Sequence, residues 1–284
     1  MPIKFPRLSP NNILLKKVLH PTPFPELVPK PAGCIRVATF NVHFGRNLAS
    51  IAKAFAKNPN LAIADIIFFQ EIENHRNQSR SQTKQLARAL GLNFIYVPSR
   101  ILGFGRGTHG LAILSRFPLV STEAIKLPVY KILRMRPRVA IASEVEIFGK
   151  KIKIYNVHLN GPLNYNERIK QMQTVIDHIK NGKGGQPVIM GGDFNTIPLM
   201  TLANTMIPIF YHNQKRKFNS FLRKHGFRTD CEKSGRTGRR GLVMFQLDGI
   251  FPKNAEVGNF AVERSVKVSD HFPLWADIKI DKDK

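Results

Sequence analysis

Polar residues that close apolar runs are the first feature of this sequence with chemical content. Thr39-Phe40-Asn41 ends one run and Gln70-Glu71 a second. Asn156-Val157-His158-Leu159-Asn160 ends another, and Gly191-Gly192 leads a further run into Asp193-Phe194-Asn195. Toward the C terminus come Leu247-Asp248-Gly249 and Ser269-Asp270-His271. Singly, each has an ordinary explanation. A Glu after a strand sits in a solvated turn, an Asp or Asn after Gly forms an Asx turn, and a lone His is structural. Together they form a set of carboxylates, amides and two imidazoles, each delivered by the end of a different apolar run. A hard cation such as Mg²⁺ takes carboxylate and amide oxygens, and a phosphoryl group in transfer needs donors around its equatorial oxygens. Metal-assisted attack on phosphorus is the chemistry that suits this set.

The elements that must position these residues are legible as short β-branched or aromatic runs separated by helical stretches. Strands are expected over Ile35–Asn41, Ile66–Gln70, Asn93–Val97, Leu111–Ser115, Ala140–Ile147, Lys151–Leu159, Val188–Asp193, Gln246–Phe251, Ala255–Val262 and Leu274–Ile280. Leu48, Ile51, Ala52 and Phe55 recur at helical spacing, as do Leu86, Ala89 and Leu90. The clearest helix runs from Tyr165 to Ile179, and Phe218, Phe221 and Leu222 suggest another. Short strands with a few interspersed helices fit two β-sheets covered by helices better than a parallel barrel. Residues 1–33 hold eight of the nineteen prolines, which forbids regular structure and predicts an extended basic arm ahead of a single domain over 34–284. Gly105-Arg106-Gly107-Thr108-His109-Gly110 fits a dinucleotide-binding pattern, but it leads into a strand rather than a helix, so that reading is rejected.

Read in order, these motifs resemble the endonuclease/exonuclease/phosphatase superfamily, to which deoxyribonuclease I, abasic-site endonucleases, neutral sphingomyelinases and inositol-polyphosphate 5-phosphatases also belong. The segment His109-Gly110-Leu111-Ala112-Ile113-Leu114-Ser115-Arg116-Phe117-Pro118 and Leu247-Asp248-Gly249-Ile250 join the set, and the likeness covers about residues 35–280. The resemblance implies an α/β (α+β) fold, a four-layer α/β/β/α sandwich of two packed mixed β-sheets with the site at one edge. It implies Glu71 as principal Mg²⁺ ligand, with Asn41 beside it and Asp270 nearby, Mn²⁺ being able to substitute. It also implies Asp193 as the group that orients and deprotonates the attacking water, helped by Asn195. His271, oriented by Asp248, would donate to the phosphate, and His158 would donate a hydrogen bond or proton near the leaving oxygen. Arg168 and Gln171 match an Arg-x-x-Gln pattern of the family and read as a structural brace. One departure is Gly249, where many members carry an aromatic that packs beside the Asp–His pair.

Charge points to the substrate. Lys and Arg number 44 against 19 Asp and Glu in 284 residues, a net +25, so an anionic partner is expected. From His212 to Gly241 ten basic residues face two acidic ones, among them Lys215, Arg216, Lys217, Arg239 and Arg240, which read as a guide for a polyanion against the plainer reading of a solvated surface. Arg134, Arg136 and Arg138 precede a strand and alternation would put them on one side, suited to phosphate or equally to solvent. The expectation is a Mg²⁺-dependent phosphodiesterase acting on nucleic acid. The alternatives are a phosphatase or phosphodiesterase acting on phosphoinositides or phospholipid headgroups at an anionic membrane, and a non-catalytic nucleic-acid-binding protein. No apolar run is long enough to span a bilayer and no secretory signal is evident, so a soluble monomer, cytoplasmic by preference, is expected, with organelle targeting as the alternative. Cys34 and Cys231 are too few for a disulfide framework, though one bridge is open to them.

Overall fold

The computed structural model describes residues 33–45, 47–75, 81–129, 136–161, 165–182, 184–196, 207–240 and 243–280. The expected arm, Gly33 apart, and Arg134 lie outside the described residues. The strands are β1 (Cys34–Asn41), β2 (Ile66–His75), β3 (Asn93–Ile101), β4 (Gly107–Ser115), β5 (Val120–Lys126), β6 (Val139–Ile147) and β7 (Lys150–His158). They continue as β8 (Val188–Asp193), β9 (Gly238–Arg240), β10 (Val243–Phe245), β11 (Asp248–Lys253), β12 (Glu256–Val262) and β13 (Leu274–Lys279). The helices are α1 (Leu48–Lys57), α2 (Pro59–Ala62), α3 (Gln82–Leu90), α4 (Tyr165–Lys180) and α5 (Ile207–Lys224). All ten expected strands are present, Val188–Asp193 with the expected ends and the other nine with shifted ends. The added ones lack the expected signal: β5 buries only Ile125, and β9 and β10 are three residues each.

One sheet runs β12-β13-β1-β2-β4-β3 and the other β11-β8-β7-β6-β5. The pairs β1–β2 and β7–β8 are parallel and their neighbours antiparallel, so both sheets are mixed. Alternation along each strand sorts the side chains into layers. Ile35, Val37, Ile66 and Phe68 meet Ile152, Ile154, Ile189 and Ile250 of the other sheet in a shared apolar core. The opposite face of the first sheet, with Phe40 and Phe69, is covered by Ile51, Phe55, Leu61 and Leu86 of α1–α3. The outer face of the second, with Tyr155 and Val157, is covered by Met172, Val175 and Ile176 of α4 and Phe218 and Leu222 of α5. The result is the four-layer α/β/β/α sandwich.

Continuing the inner register upward leads from apolar to polar residues. Val37 is followed on the same face by Thr39 and Asn41, Phe68 by Gln70, Ile154 by Asn156 and His158, and Ile189 by Gly191 and Asp193. Where the character changes, Gln70 Nε2 donates to Asn156 Oδ1 at 2.8 Å across the two sheets. Asn156 Nδ2 in turn donates to the backbone carbonyls of Phe69 at 2.9 Å and Ala112 at 2.8 Å. Those carbonyls are available because β2 breaks register with β4 between Phe69 and Ile72. Replacing Asn156 by Leu strands both carbonyls in a buried place, and each such loss costs about 1–3 kcal/mol. Urea denaturation of Asn156→Leu should therefore show a loss of about 2–4 kcal/mol, and an unchanged midpoint would refute the clamp.

Candidate active site

Asp193 is the centre of the polar end of the sandwich. The glycines before it let β8 approach closely: a Cβ on Gly192 would lie 1.9 Å from the Val157 carbonyl, and one on Gly191 would lie 2.5 Å from the Phe68 ring. Asp193 is 1% exposed, and both its oxygens are held. Asn41 Nδ2 donates to Oδ2 at 3.0 Å and the Asn195 backbone N–H to Oδ1 at 3.0 Å. Asn195 is itself anchored by its side chain, which donates to the Leu159 carbonyl at 3.0 Å. Two imidazoles face one oxygen of the carboxylate. His158 Nε2 lies 3.5 Å and His271 Nε2 3.9 Å from Asp193 Oδ2. His271 Nδ1 donates to Asp248 Oδ2 at 2.8 Å, and Asp248 is held in place by the Thr237 hydroxyl, which accepts from the Leu247 and Asp248 N–H groups. The ring space beside Gly249 is filled from within the chain, because Phe251 stands 2.5 Å from where its Cβ would be.

Glu71 reaches the site through a bulge. Strict alternation would aim it under the helices with Phe69, but it is the extra residue in the β2–β4 ladder and adopts φ +59°. Its Oε1 ends 3.8 Å from His158 Nε2 of the other sheet. His43, Phe44 and Asn195 also have positive φ, so with Glu71 they make four of the eight such non-Gly positions among the described residues. Asn41 accepts the His43 N–H at 3.1 Å on Oδ1, and its carbonyl accepts from Ser269 Oγ at 2.8 Å. Ser269 Oγ also lies 3.2 Å from Asp270 Oδ1, and His43 Nδ1 lies 3.2 Å from the same oxygen. The structure thus brings Asn41, Glu71, His158, Asp193, Asn195, Asp248, Asp270 and His271 together at one edge. Sequence reasoning misses His43 and Thr237, neither of which carries a pattern of its own.

The basic residues divide. Arg138 is drawn in: its Nε donates to Asn160 Oδ1 at 3.1 Å and its Nη1 sits 3.1 Å from His158 Nδ1. Arg136 is exposed. Lys215 is turned inward, 2.7 Å from Glu232 and bonded to Gln246, so its charge is matched inside the fold rather than offered to a polyanion. Arg216 and Lys217 are exposed on α5. Arg239 is exposed on β9, where its backbone N–H donates to the Asp270 carbonyl at 2.8 Å. The Arg240 side chain lies outside the described residues. Gln171 binds the Asn160 N–H and the Pro128 carbonyl, and Arg168 binds Gln214 and the Gly161 carbonyl, so the pair braces the loop after β7. Both cysteines are free thiols, and burial pushes the Cys231 thiol up to about 12.

Electrostatics sets the protonation of the central groups. Burial raises Asp193 to about 6, with Asp248 adding to the effect and His271, Asn41 and Asn195 opposing it. Burial alone would lower His271, but the charge and hydrogen bond of Asp248, with Asp193 and Asp270, outweigh it and raise the imidazole to about 10. His109, 3.5 Å from Glu73, is pushed down to about 3 by burial and then by Arg100, Arg138 and Arg136, so it is neutral.

The ligand atoms of Asp193, Asp248 and His271 lie within 4.8 Å of one another, close enough to hold a metal ion. A His271 that carries both protons, however, has no lone pair to give, and Nδ1 is engaged by Asp248. Glu71, Asn41 and Asp270 offer oxygen only, the donor chemistry of a hard cation. Among the described residues no helix is long and apolar enough to cross a membrane.

The profile of the Endonuclease/Exonuclease/phosphatase family matches residues 38–271. No curated protein matches the sequence. Among solved structures, a family protein from Leptotrichia buccalis is 20% identical with a TM-score of 0.67, the match covering 87% of this chain and 100% of that one. An AP endonuclease from Archaeoglobus fulgidus is 16% identical with a TM-score of 0.61, covering 85% and 98%. A mannosyl-6-phosphatase from Bacteroides thetaiotaomicron is 18% identical with a TM-score of 0.62, covering 87% and 100%. At these identities the likeness is one of fold.

Hydrolysis that uses Asp193 as a base and His271 as a donor requires the first deprotonated and the second protonated. The rate should rise with pH through about 6, as Asp193 loses its proton, and fall through about 10, as His271 loses its own. Asp248→Asn removes the charge that raises His271, so its alkaline limb should move to lower pH in a kcat profile. An alkaline limb that stays in place would break the assignment.

Proposed function

The chain belongs to the endonuclease/exonuclease/phosphatase family, whose members hydrolyse phosphoester bonds, and we propose that it is a metal-dependent phosphodiesterase acting on nucleic acid. The observation that carries the reading is the grip on Asp193: one N–H donor on each oxygen and two imidazoles facing Oδ2. A carboxylate so held keeps a water in one orientation, which supplies much of what an in-line attack needs. Asp193 takes the proton of that water as the water oxygen bonds to phosphorus, while the bond from phosphorus to the leaving ester oxygen breaks in line and that oxygen takes a proton from solvent. His271, cationic through Asp248, donates to a phosphoryl oxygen and offsets the charge that grows there. His158 presents Nε2 to the same Asp193 oxygen that His271 faces. Glu71, with Asn41 and Asp270, would hold Mg²⁺ or Mn²⁺. When bound, such an ion supplies positive charge to the phosphoryl oxygens.

Substrate choice rests on the surface around this edge, since the fold serves both an AP endonuclease and a sugar phosphatase among its relatives. Arg239 flanks Asp270, Arg136 lies near Arg100 and His109, and Arg216 and Lys217 extend the positive field along α5. Such a spread suits a polyanion longer than one phosphate. A second reading, a phospholipid headgroup as substrate, is favoured by one observation. At the tip between β3 and β4, Phe104 is 93% and Ile101 49% exposed beside Arg100 and Arg106, a composition that enters an anionic membrane interface.

Chelation by EDTA should abolish turnover and Mg²⁺ or Mn²⁺ restore it, with Glu71→Gln demanding far more metal; activity that persists in chelator refutes the metal assignment. Asp193→Asn and His271→Ala should each lower kcat about 10²-fold or more while remaining folded. Neutralising Arg216, Lys217, Arg239 and Arg240 together should flatten the salt dependence of duplex DNA binding by about 2–3 units of slope, at roughly 0.9 for each phosphate no longer neutralised. Assays on duplex, single-stranded and abasic DNA, RNA, sphingomyelin and phosphoinositides separate the two readings. Turnover confined to lipid would overturn the nucleic-acid one.

A further inference from the structure

We infer that Arg138 is a positioning residue that fixes the tautomer of His158, an inference that rests on the proposed function for its catalytic meaning but not for its geometry. A guanidinium has five N–H donors and no acceptor, and it stays charged in proteins. Arg138 Nη1 lies 3.1 Å from His158 Nδ1. At that distance Nδ1 must be the acceptor, so the ring proton is on Nε2. The opposite tautomer would set an N–H against an N–H, and a doubly protonated ring would do the same while adding charge to charge. His158 Nε2–H is thereby aimed at the centre of the site, 3.5 Å from Asp193 Oδ2 and 3.8 Å from Glu71 Oε1.

The guanidinium is itself held. Its Nε donates to Asn160 Oδ1 at 3.1 Å, and the Asn160 N–H donates to Gln171 Oε1 at 3.1 Å on α4. The chain of hydrogen bonds runs from a helix in the outer layer through Gln171, Asn160 and Arg138 to one nitrogen of a buried imidazole, which is 1% exposed. Each link has a fixed donor and acceptor, so the direction of every proton in it is set. His158 then contributes a standing hydrogen bond from Nε2 to the phosphoryl group or the leaving oxygen. Arg138 does this through Nε and Nη1, with no contact to a substrate required. That separates it from the phosphate-binding role its place among Arg134, Arg136 and Arg138 suggests.

The test is imidazole ¹⁵N NMR of the full chain labelled at histidine, at neutral pH, with the His158 signals assigned by their loss in His158→Gln. The wild-type ring should show an unprotonated Nδ1 and a protonated Nε2. Arg138→Met should admit the second tautomer and lower kcat by about 10- to 100-fold with KM little changed, the size of effect expected from misplacing one proton donor. Arg138→Lys, which keeps a donor-only cation, should restore part of both. A proton on Nδ1 in the wild type overturns the inference, and that measurement needs no variant to fold. A rise in KM with tautomer and kcat unchanged in Arg138→Met also overturns it, making Arg138 a substrate-binding group. The spectrum can be read whether or not the protein cleaves any phosphoester offered, so a failure of the proposed activity and a failure of this inference are distinct results.

Discussion

The hydrogen bond between Gln70 and Asn156 marks the depth at which the space between the sheets stops being apolar. Below it, isoleucines and valines of both sheets pack without polar atoms. Above it, the same register presents amides, carboxylates and imidazoles. Two sheets packed by side chains alone have some freedom to slide, and a catalytic constellation drawn from both would inherit that freedom. An amide pair that also satisfies two backbone carbonyls of the first sheet removes it, because a shift strands several buried groups at once. The distances from Asp193 on β8 to Asn41 on β1 depend on that fixed relation.

Around Asp193 the two imidazoles are partnered by opposite charges. Asp248 makes His271 a cation, whereas Arg138 faces His158 with a permanent one. The carboxylate oxygen that both rings face therefore meets two imidazoles whose far nitrogens have partners of opposite sign. Nothing in the two residue names distinguishes these histidines. Their partners, Arg138 just ahead of β6 and Asp248 at the start of β11, do.

That contrast shows where reading the sequence succeeds and stops. Asn41, Asn156, His158 and Asp193 share parity with apolar neighbours on the inner face, so a strand reading that locates the core also locates them. The four-layer sandwich is legible for the same reason, apart from β5, whose polar, mostly exposed residues follow no alternation. Glu71 is found as a motif and would be lost by alternation, because a left-handed residue other than Gly leaves no mark in the sequence. Lys215 counts as one of a basic run, and its pairing with Glu232 depends on how α5 lies against the loop that follows it. Arg138 shows the same limit. Its neighbours in sequence suggest phosphate, and its partners are twenty and twenty-two residues away.

The left-handed backbone at Glu71 places that position under two demands that pull apart. Gly, Asn or Asp would occupy φ +59° at less cost, and random substitution would keep offering them to a lineage selected only for a sturdy fold. Gly and Asn forfeit the carboxylate, and Asp retracts it by one methylene from the place that the bulge created for it. With Glu71 proposed as a metal ligand, drift toward comfort at this single codon would leave a protein that folds better and has forgotten its trade, so that on this reading an inactive descendant of this chain should be recognisable by what stands at 71 before any assay is run.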